Sequence, residues 1–509
     1  MTRQGCDMEK MRHKYLGMFE PKRVIDNPSD GELKEWAFER GGVITEFGNL
    51  AVTTNVRNRI AKFTEVVMSD PAPEDDRLVR NVMDYLKTKE MIQLDRVMCH
   101  NPAFKRNCRV YVTADYPRIP LMWGNTLFPS EGGEPDFVSI TVPEWPEKRT
   151  LVFPGSGLTI ILGSDYKGEN KKAMLRQVMY WAKQDGNLGL HAASKIIRVF
   201  RSGELKDFGF LLFGLSGTGK TSLSCHSHWL RPPERVVIRQ DDVVILRVDG
   251  SAVGTEESFY LKTDGLEPDS QPLLYAAAIS PRAILENVFV DPETGKVNFF
   301  DTTLTSNGRA MVKRGDIAFT DGNIDLQKVD FVVFITRRQD ILPPVMRLTP
   351  EWAAAAFMLG ESVETSAGDP AEAGKLRRVV GTNPFIVGSA DEEGNTFLSI
   401  LKRNPGIQCF ILNTGTVGGA ERGQKITVKD SVKILEMIAR DEIVWQQDKF
   451  WGYDIPVHIP GIDMTRFYLD NYYSKEQIQG ISADLKQERL AWLSRFERLD
   501  KAVLRAIAP

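Results

Sequence analysis

The stretch FGFLLFGLSGTGKTSLSCHSHWL, residues 208–230, constrains this chain more than any other. An apolar run ends in Gly214-Leu215-Ser216-Gly217-Thr218-Gly219-Lys220-Thr221, which fits the phosphate-loop pattern GxxxxGK[ST]. Glycines let successive backbone N–H groups turn toward phosphate oxygens, and the N-terminus of a following helix adds positive potential. Lys220 then reaches the outer phosphates and Thr221 offers its hydroxyl to magnesium. The pattern predicts a strand over FGFLLF, a nucleotide-binding turn, and a helix over SLSCHSHWL, hence an α/β fold. Further on, RVVIRQDDVVIL places Asp241-Asp242 at the end of an apolar strand, where a carboxylate can hold a metal or its bound water.

At 509 residues the chain is long enough for two or three domains, or for two large lobes. A net charge of -3, with 42% hydrophobic and 26% charged residues, offers no basic field for nucleic acid or for an anionic membrane. No apolar run reaches the roughly 18 residues of a membrane span, and MTRQGCDMEKMRHKY lacks the apolar core of a signal peptide, so a cytoplasmic location is expected. Five scattered cysteines, at 6, 99, 108, 225 and 409, lack the paired spacing of a zinc site and read as reduced thiols. Cys225 is expected to be a small buried residue of the helix after the loop.

The first 35 or so residues suggest an entry helix, residues 41–67 suggest strands, and three- to four-residue periodicity over 75–98 predicts one amphipathic helix. Short β-like runs follow at 109–114, 137–142 and 158–163, and again in RVVIRQDDVVILRV, NVFVDPETGKVNFFD and VDFVVFIT. From Lys475 to Ile507 the spacing predicts one long helix packing its stripe on the core. The small, acidic stretch 361–375 is expected to be a mobile loop.

GLSGTGKTSLS, together with LPPVMRLTPEWA (342–353), ILENVFVDPETGKVNFFDTTLTSNGR (284–309), NTGTVGG (413–419) and KITVKDS (425–431), resembles the ATP-dependent phosphoenolpyruvate carboxykinase family in content and order from about residue 150 to 470. The resemblance implies a two-lobed α/β fold, with an amino-terminal substrate lobe over 1–187 and a phosphate-loop, mononucleotide-binding lobe over 188–509. It also implies ATP, Mg2+ and Mn2+. By it, Lys172, His191 and Asp242 are metal ligands, with Thr221 on the nucleotide's magnesium. A lysine that ligates must be neutral, and the adjacent Lys171 cation gives a physical reason for two lysines in sequence. Lys171 would face substrate and phosphate, Ser216 would orient them, and Lys220, Lys262 and Arg309 would grip the transferring phosphoryl group. Tyr166 falls on the substrate side, and Lys425, Ile426 and Ser431 fall on the adenine pocket. His226 and His228 match no ligand position and read as packing histidines.

The match departs in the segment whose arginine grips the substrate carboxylate in the family. Here TTNVRNRIAK (53–62) offers Arg57 or Arg59. A basic stretch, KIIRVFRSGELK, lengthens the chain between His191 and Gly214, Lys425 stands for an arginine, and Gln271 stands for an acid near the ribose. The resemblance implies decarboxylation of oxaloacetate with phosphoryl transfer from ATP to give phosphoenolpyruvate. The altered segment leaves open a kinase on the same fold with another small-molecule or protein acceptor. Oligomeric state is expected to be a monomer or small homo-oligomer.

Overall fold

Strands four to eleven residues long make up the interior of two large sheets, one in each of two compact units. The computed structural model describes residues 12–58, 60–215, 217–363 and 375–508. Arg59 and Ser216 therefore lie outside the described residues, as does 364–374 of the expected mobile loop. That loop's flanks, Glu361–Val363 and Leu376–Arg378, pair as antiparallel strands. Among the described residues no helix is long and apolar enough to cross a membrane.

The first unit runs to Asp185 and takes up Thr255–Ala318 as well. Its eight-stranded sheet has the order Arg23–Asp26, Glu90–Met98, Arg106–Thr113, Phe137–Val142, Leu158–Leu162, Arg149–Phe153, Thr64–Val66, with Phe128–Pro129 paired beside Glu90–Met98. Period-two alternation decides what covers each face. Val138, Ile140 and Val142 join the core under the helix Pro73–Leu86, while Thr141, on the opposite face, donates to Asn170 Oδ1 of the helix Lys167–Gln184 at 2.6 Å.

The helix predicted over 75–98 is in fact a helix, Pro73–Leu86, followed by the strand Glu90–Met98. Pro73 and three acids in the first turn start the helix, but EMIQLDRVM is drawn into the sheet by partners on both sides. A second sheet has the order Ser258–Lys262, Arg309–Lys313, Ile284–Glu286, Leu50–Val52, Val43–Ile44. The parallel register of Ile284 with Leu50 binds 255–318 into this unit.

The second unit comprises Gly186–Gly254 and the chain from Phe319 onward. Its sheet has the order Arg235–Gln240, Ala192–Arg201, Glu204–Gly214, Phe331–Thr336, Gln408–Asn413, Val345–Leu348, Asp454–His458, Val444–Gln447. Glu204–Gly214, Phe331–Thr336 and Gln408–Asn413 run parallel, so they end on one edge, with Gly214 beside Ile335 and Thr336 beside Asn413. Phe213, Phe334, Phe357 and Phe397 pack beneath them, the last two stacked 5.0 Å apart. Each such fully buried aromatic contributes about 1.5–3 kcal/mol of burial.

The basic stretch between His191 and Gly214 folds as a hairpin, Ala192–Arg201 with Glu204–Gly214, closed by Ser202 and Gly203, both at positive φ. The predicted carboxy-terminal helix is two helices, Lys475–Leu493 and Lys501–Ile507. Asp500 caps the second by accepting from Ala502 N at 2.8 Å, which starts a new axis. Its stripe does pack on the core, through Leu485, Leu493, Leu499, Val503 and Ile507.

Candidate active-site residues

The glycine-rich loop leaves the first of the three parallel strands at its carboxy-terminal end, the edge where open α/β sheets bind ligands. A side chain at Gly214 would put its Cβ 2.5 Å from Thr218 Oγ1, and Gly219 holds φ at 96°, so both positions require glycine. The turn is fastened at several points. Thr218 Oγ1 donates to Leu215 O at 2.8 Å, Arg337 donates to Gly217 O at 2.8 Å, and Thr414 Oγ1 donates to Thr218 O at 2.9 Å. Arg337 and Thr414 follow the neighbouring parallel strands, so the sheet edge itself shapes the loop around Gly217. The helix after it is only Lys220–Ser224, shorter than predicted over SLSCHSHWL, and buried Cys225 is its cap.

The residues expected on the adenine side come from the same edge. Gln424–Lys425 pairs with Thr416–Val417, Ile426 N donates to Gly415 O at 2.9 Å, and Lys425 is exposed. Ser431 is buried on the helix Val428–Arg440 and donates to Thr427 O at 3.1 Å.

His191 and Asp242 meet because two strand ends converge. His191 precedes the strand Ala192–Arg201, whose Ala192 lies beside Phe213, and Asp242 follows the strand Arg235–Gln240, whose Gln240 lies beside Ser194. His191 Nε2 stands 3.1 Å from Asp242 Oδ1. The other ring nitrogen is 2.7 Å from Thr382 O, and a carbonyl only accepts, so Nδ1 carries hydrogen. An Nδ1–H fixed on a carbonyl, with Nε2 turned to a carboxylate, is the tautomer and orientation of a metal-binding imidazole. The donor set fits a divalent cation. Among the described residues no three His, Cys, Asp or Glu side chains cluster as a metal site.

In the first unit, Tyr166 caps the helix Lys167–Gln184, so Lys171 and Lys172 lie on its second turn, both under 10% exposed. Lys171 Nζ pairs with buried Glu256 at 2.6 Å. Lys262 and Arg309 are opposite each other on antiparallel strands and therefore share a face. Lys262 reaches Asp264 at 3.3 Å. Arg309 donates to Asn307 Oδ1 at 2.7 Å, with its guanidinium 5.4 Å from the centre of the Tyr260 ring. Burial raises the Tyr260 phenol well above its usual range and also raises the Glu286 carboxyl to which that phenol donates.

Arg57 sits on a loop pinned at several points. Asp165 accepts from Asn55 N and Val56 N at 2.8 Å each and pairs with Arg118 at 2.6 Å. Asn287 Oδ1 accepts from Thr54 N at 2.8 Å, and Glu169 Oε1 accepts from Ile60 N at 2.7 Å. Arg57 itself donates to Leu304 O, and Asn307 Nδ2 reaches both Arg57 O and the Tyr166 hydroxyl. Sequence reasoning missed Asp165, Glu169, Glu256 and Asn287. Asp165 and Glu169 flank Tyr166 and Lys171 and Asn287 lies in the ILENV run, whereas nothing beside Glu256 in the sequence pointed to it.

One unit thus holds the glycine-rich loop and the His191–Asp242 pair, and the other holds the buried Lys171 and Lys172 with the partly buried Lys262, Arg309 and Arg57. The family profile described as phosphoenolpyruvate carboxykinase matches residues 22–465. A phosphoenolpyruvate carboxykinase (ATP) from Aeropyrum pernix is 36% identical over 475 residues, covering 92% of this chain and 93% of its own. One from Paracoccus denitrificans is 24% identical over 498 residues, covering 90% of each, and the glycosomal one from Trypanosoma brucei brucei is 27% identical, covering 79% of this chain and 90% of its own. The chain belongs to the phosphoenolpyruvate carboxykinase (ATP) family.

Proposed function

We propose that the protein decarboxylates oxaloacetate and transfers the γ-phosphoryl group of ATP to the resulting enolate, giving phosphoenolpyruvate, carbon dioxide and ADP. The observation that carries this reading is the family match over residues 22–465, which spans every candidate site residue. The unit holding the glycine-rich loop serves as the mononucleotide-binding lobe, and the unit holding Arg57 and Tyr166 serves as the substrate lobe. The substrate is a small molecule, and a cytoplasmic monomer or small homo-oligomer goes with the reading.

In this mechanism Arg57 or Arg59 grips a substrate carboxylate through its planar fork. As the carbon–carbon bond to the leaving carboxylate breaks, its electron pair moves onto the enolate oxygen. That oxygen attacks the γ-phosphorus and the bond to the bridging oxygen of ADP breaks. Glu256 keeps the Lys171 ammonium in place for the developing negative charge, a support drawn from their 2.6 Å contact. Lys220, Lys262 and Arg309 spread the phosphoryl charge, and Ser216 with the loop amides orients it. Lys425, Ile426 and Ser431 border the base. His191, Asp242 and Lys172 are the proposed ligands of a manganese or magnesium ion, with Thr221 holding the nucleotide's magnesium. Such an ion supplies positive charge where the enolate and phosphoryl oxygens become negative.

A coupled assay with oxaloacetate, ATP, magnesium and manganese tests this. Metal-dependent phosphoenolpyruvate formation, abolished in Asp242→Ala and Lys172→Ala, is expected. Bound ATP with oxaloacetate inert would overturn the carboxykinase and direct attention to another acceptor.

A further inference from the structure

Lys195 is the one lysine of the strand Ala192–Arg201, and its side chain is wholly buried. Nothing in the phosphoryl-transfer chemistry calls on it. A buried amine carries a large desolvation cost, and burial pushes this one down to about 7, with the Cys225 thiol opposing. Its surroundings show what that cost supports. Nζ donates to Leu223 O at 2.6 Å and to His228 Nε2 at 2.6 Å, and both partner residues are themselves under 5% exposed.

Leu223 belongs to Lys220–Ser224, the helix that carries Lys220 and Thr221 out of the phosphate loop. A helix of one turn is unstable by itself, because nucleation fixes several residues for few hydrogen bonds, and its last carbonyls lack partners along the helix. Tertiary contacts must hold it. Thr414 and Arg337 fasten the loop before it, at Thr218 O and Gly217 O. Lys195 fastens the other end, so the turn presenting Lys220 and Thr221 is gripped on both sides.

The second partner is placed with equal care. His228 and Trp229 both adopt positive φ, 58° and 52°, a conformation that non-glycine residues disfavour. His226 stabilises that turn by accepting from His228 N at 2.8 Å, and its ring packs on Trp229 with centroids 4.5 Å apart. The turn thereby directs the His228 imidazole into the interior. Burial holds His228 far below its usual range, so the ring is neutral and its Nε2 accepts from Lys195. The strand bearing Lys195 also has a register irregularity against Arg235–Gln240 between Ser194 and Lys195, the kind of feature that re-aims a side chain. The same strand begins just after His191.

We infer that Lys195 and His228 form an internal clamp on the Leu223 carbonyl, positioning the phosphate-loop helix so that Lys220 and Thr221 meet the phosphates of Mg-ATP. Both are positioning residues. This rests on the nucleotide reading of the loop given above.

The test measures Mg-ATP affinity by calorimetry on the full chain, alongside steady-state kinetics, for the parent, Lys195→Met, His228→Leu and His228→Gln. Loss of the clamp weakens Mg-ATP binding and raises KM for ATP by about tenfold, the weight of one buried hydrogen bond, while KM for oxaloacetate stays within twofold. His228→Gln, which retains an acceptor, recovers most of the affinity lost in His228→Leu. A purely structural role would lower the active fraction and hence kcat, and leave the Mg-ATP affinity of the folded molecules unchanged. Should Lys195→Met fail to fold, the two His228 variants decide. Parent-like ATP affinity in every folded variant overturns the clamp alone. A parent that binds no Mg-ATP overturns the nucleotide reading and the clamp together.

Discussion

Replacing Glu361 by glutamine removes one charge from the most densely paired acid in the second unit. Glu361 takes two bonds of 3.0 Å from Arg489, one of 2.8 Å from Arg338 and one of 3.1 Å from Arg378. These arginines tie the segment after Phe331–Thr336, the strand pair flanking residues 364–374, and the helix Lys475–Leu493 to a single carboxylate. Burial works to raise that carboxyl, but Arg489, Arg338 and Arg378 overcome it and hold it well below the usual range. In Glu361→Gln, Arg338 keeps Asp340 at 2.6 Å and Arg378 keeps Glu488 at 2.8 Å. Arg489, with its side chain 3% exposed, is left without its counter-charge.

Breaking a buried pair from one side costs about 3–5 kcal/mol. For a unit of this size, at about 2–4 °C per kcal/mol, the melting temperature falls by roughly 6–20 °C. Calorimetric melting at neutral pH measures it, with Glu361→Gln/Arg489→Met as the compensating double replacement, expected to recover a substantial part. The folded carboxyl lies below its unfolded value of 4.5, so its contribution is full above that pH and fades as pH falls further. The difference between parent and variant should narrow on acidification. A loss under about 1 kcal/mol at neutral pH, or a gap widening toward low pH, would refute the reasoning.

Three more outcomes are expected. If its charge acts on the phosphoryl group as proposed, Arg309→Ala lowers kcat by about a hundred- to a thousandfold with little change in melting temperature; parent-like turnover would remove it from the reaction. Asp165→Asn slackens the loop bearing Arg57 and raises KM for oxaloacetate more than KM for ATP, which substrate titrations at fixed ATP can check. Lys195 stands at about 7 in the fold against 10.5 unfolded, with Cys225, His226 and His228 as its titratable neighbours. Between those values the unfolded chain holds a proton that the folded chain lacks, so stability relative to Lys195→Met climbs with pH over that window. Urea unfolding from pH 7 to 9 would expose a flat or falling difference.

Runs such as FVSITV, FGFLLF and VDFVVFIT were legible as strands because they are buried on both faces and flanked by turn residues. EMIQLDRVM was not, because its apolar spacing also suits a helix and only its partners across the sheet decide. The grouping of 255–318 with the first unit depends on Ile284 finding Leu50, which no local signal announces. At the site, the glycine loop spoke through spacing alone, whereas Lys172 and His191 took meaning only from the family pattern. Glu256 was invisible because a buried acid is written with the same letter as a surface one.

The interrupted first unit also sets a timetable for synthesis. Leu50–Val52 leaves the ribosome some 230 residues before its partner Ile284–Glu286, a delay of roughly 10–50 s at ordinary elongation rates. Meanwhile the hairpin of the second unit emerges and in turn waits for Phe331–Thr336 and Gln408–Asn413. Neither unit can finish before the other has begun. The nascent chain therefore carries unpaired apolar strands of both at once, the exposed strand edges through which an incomplete chain aggregates.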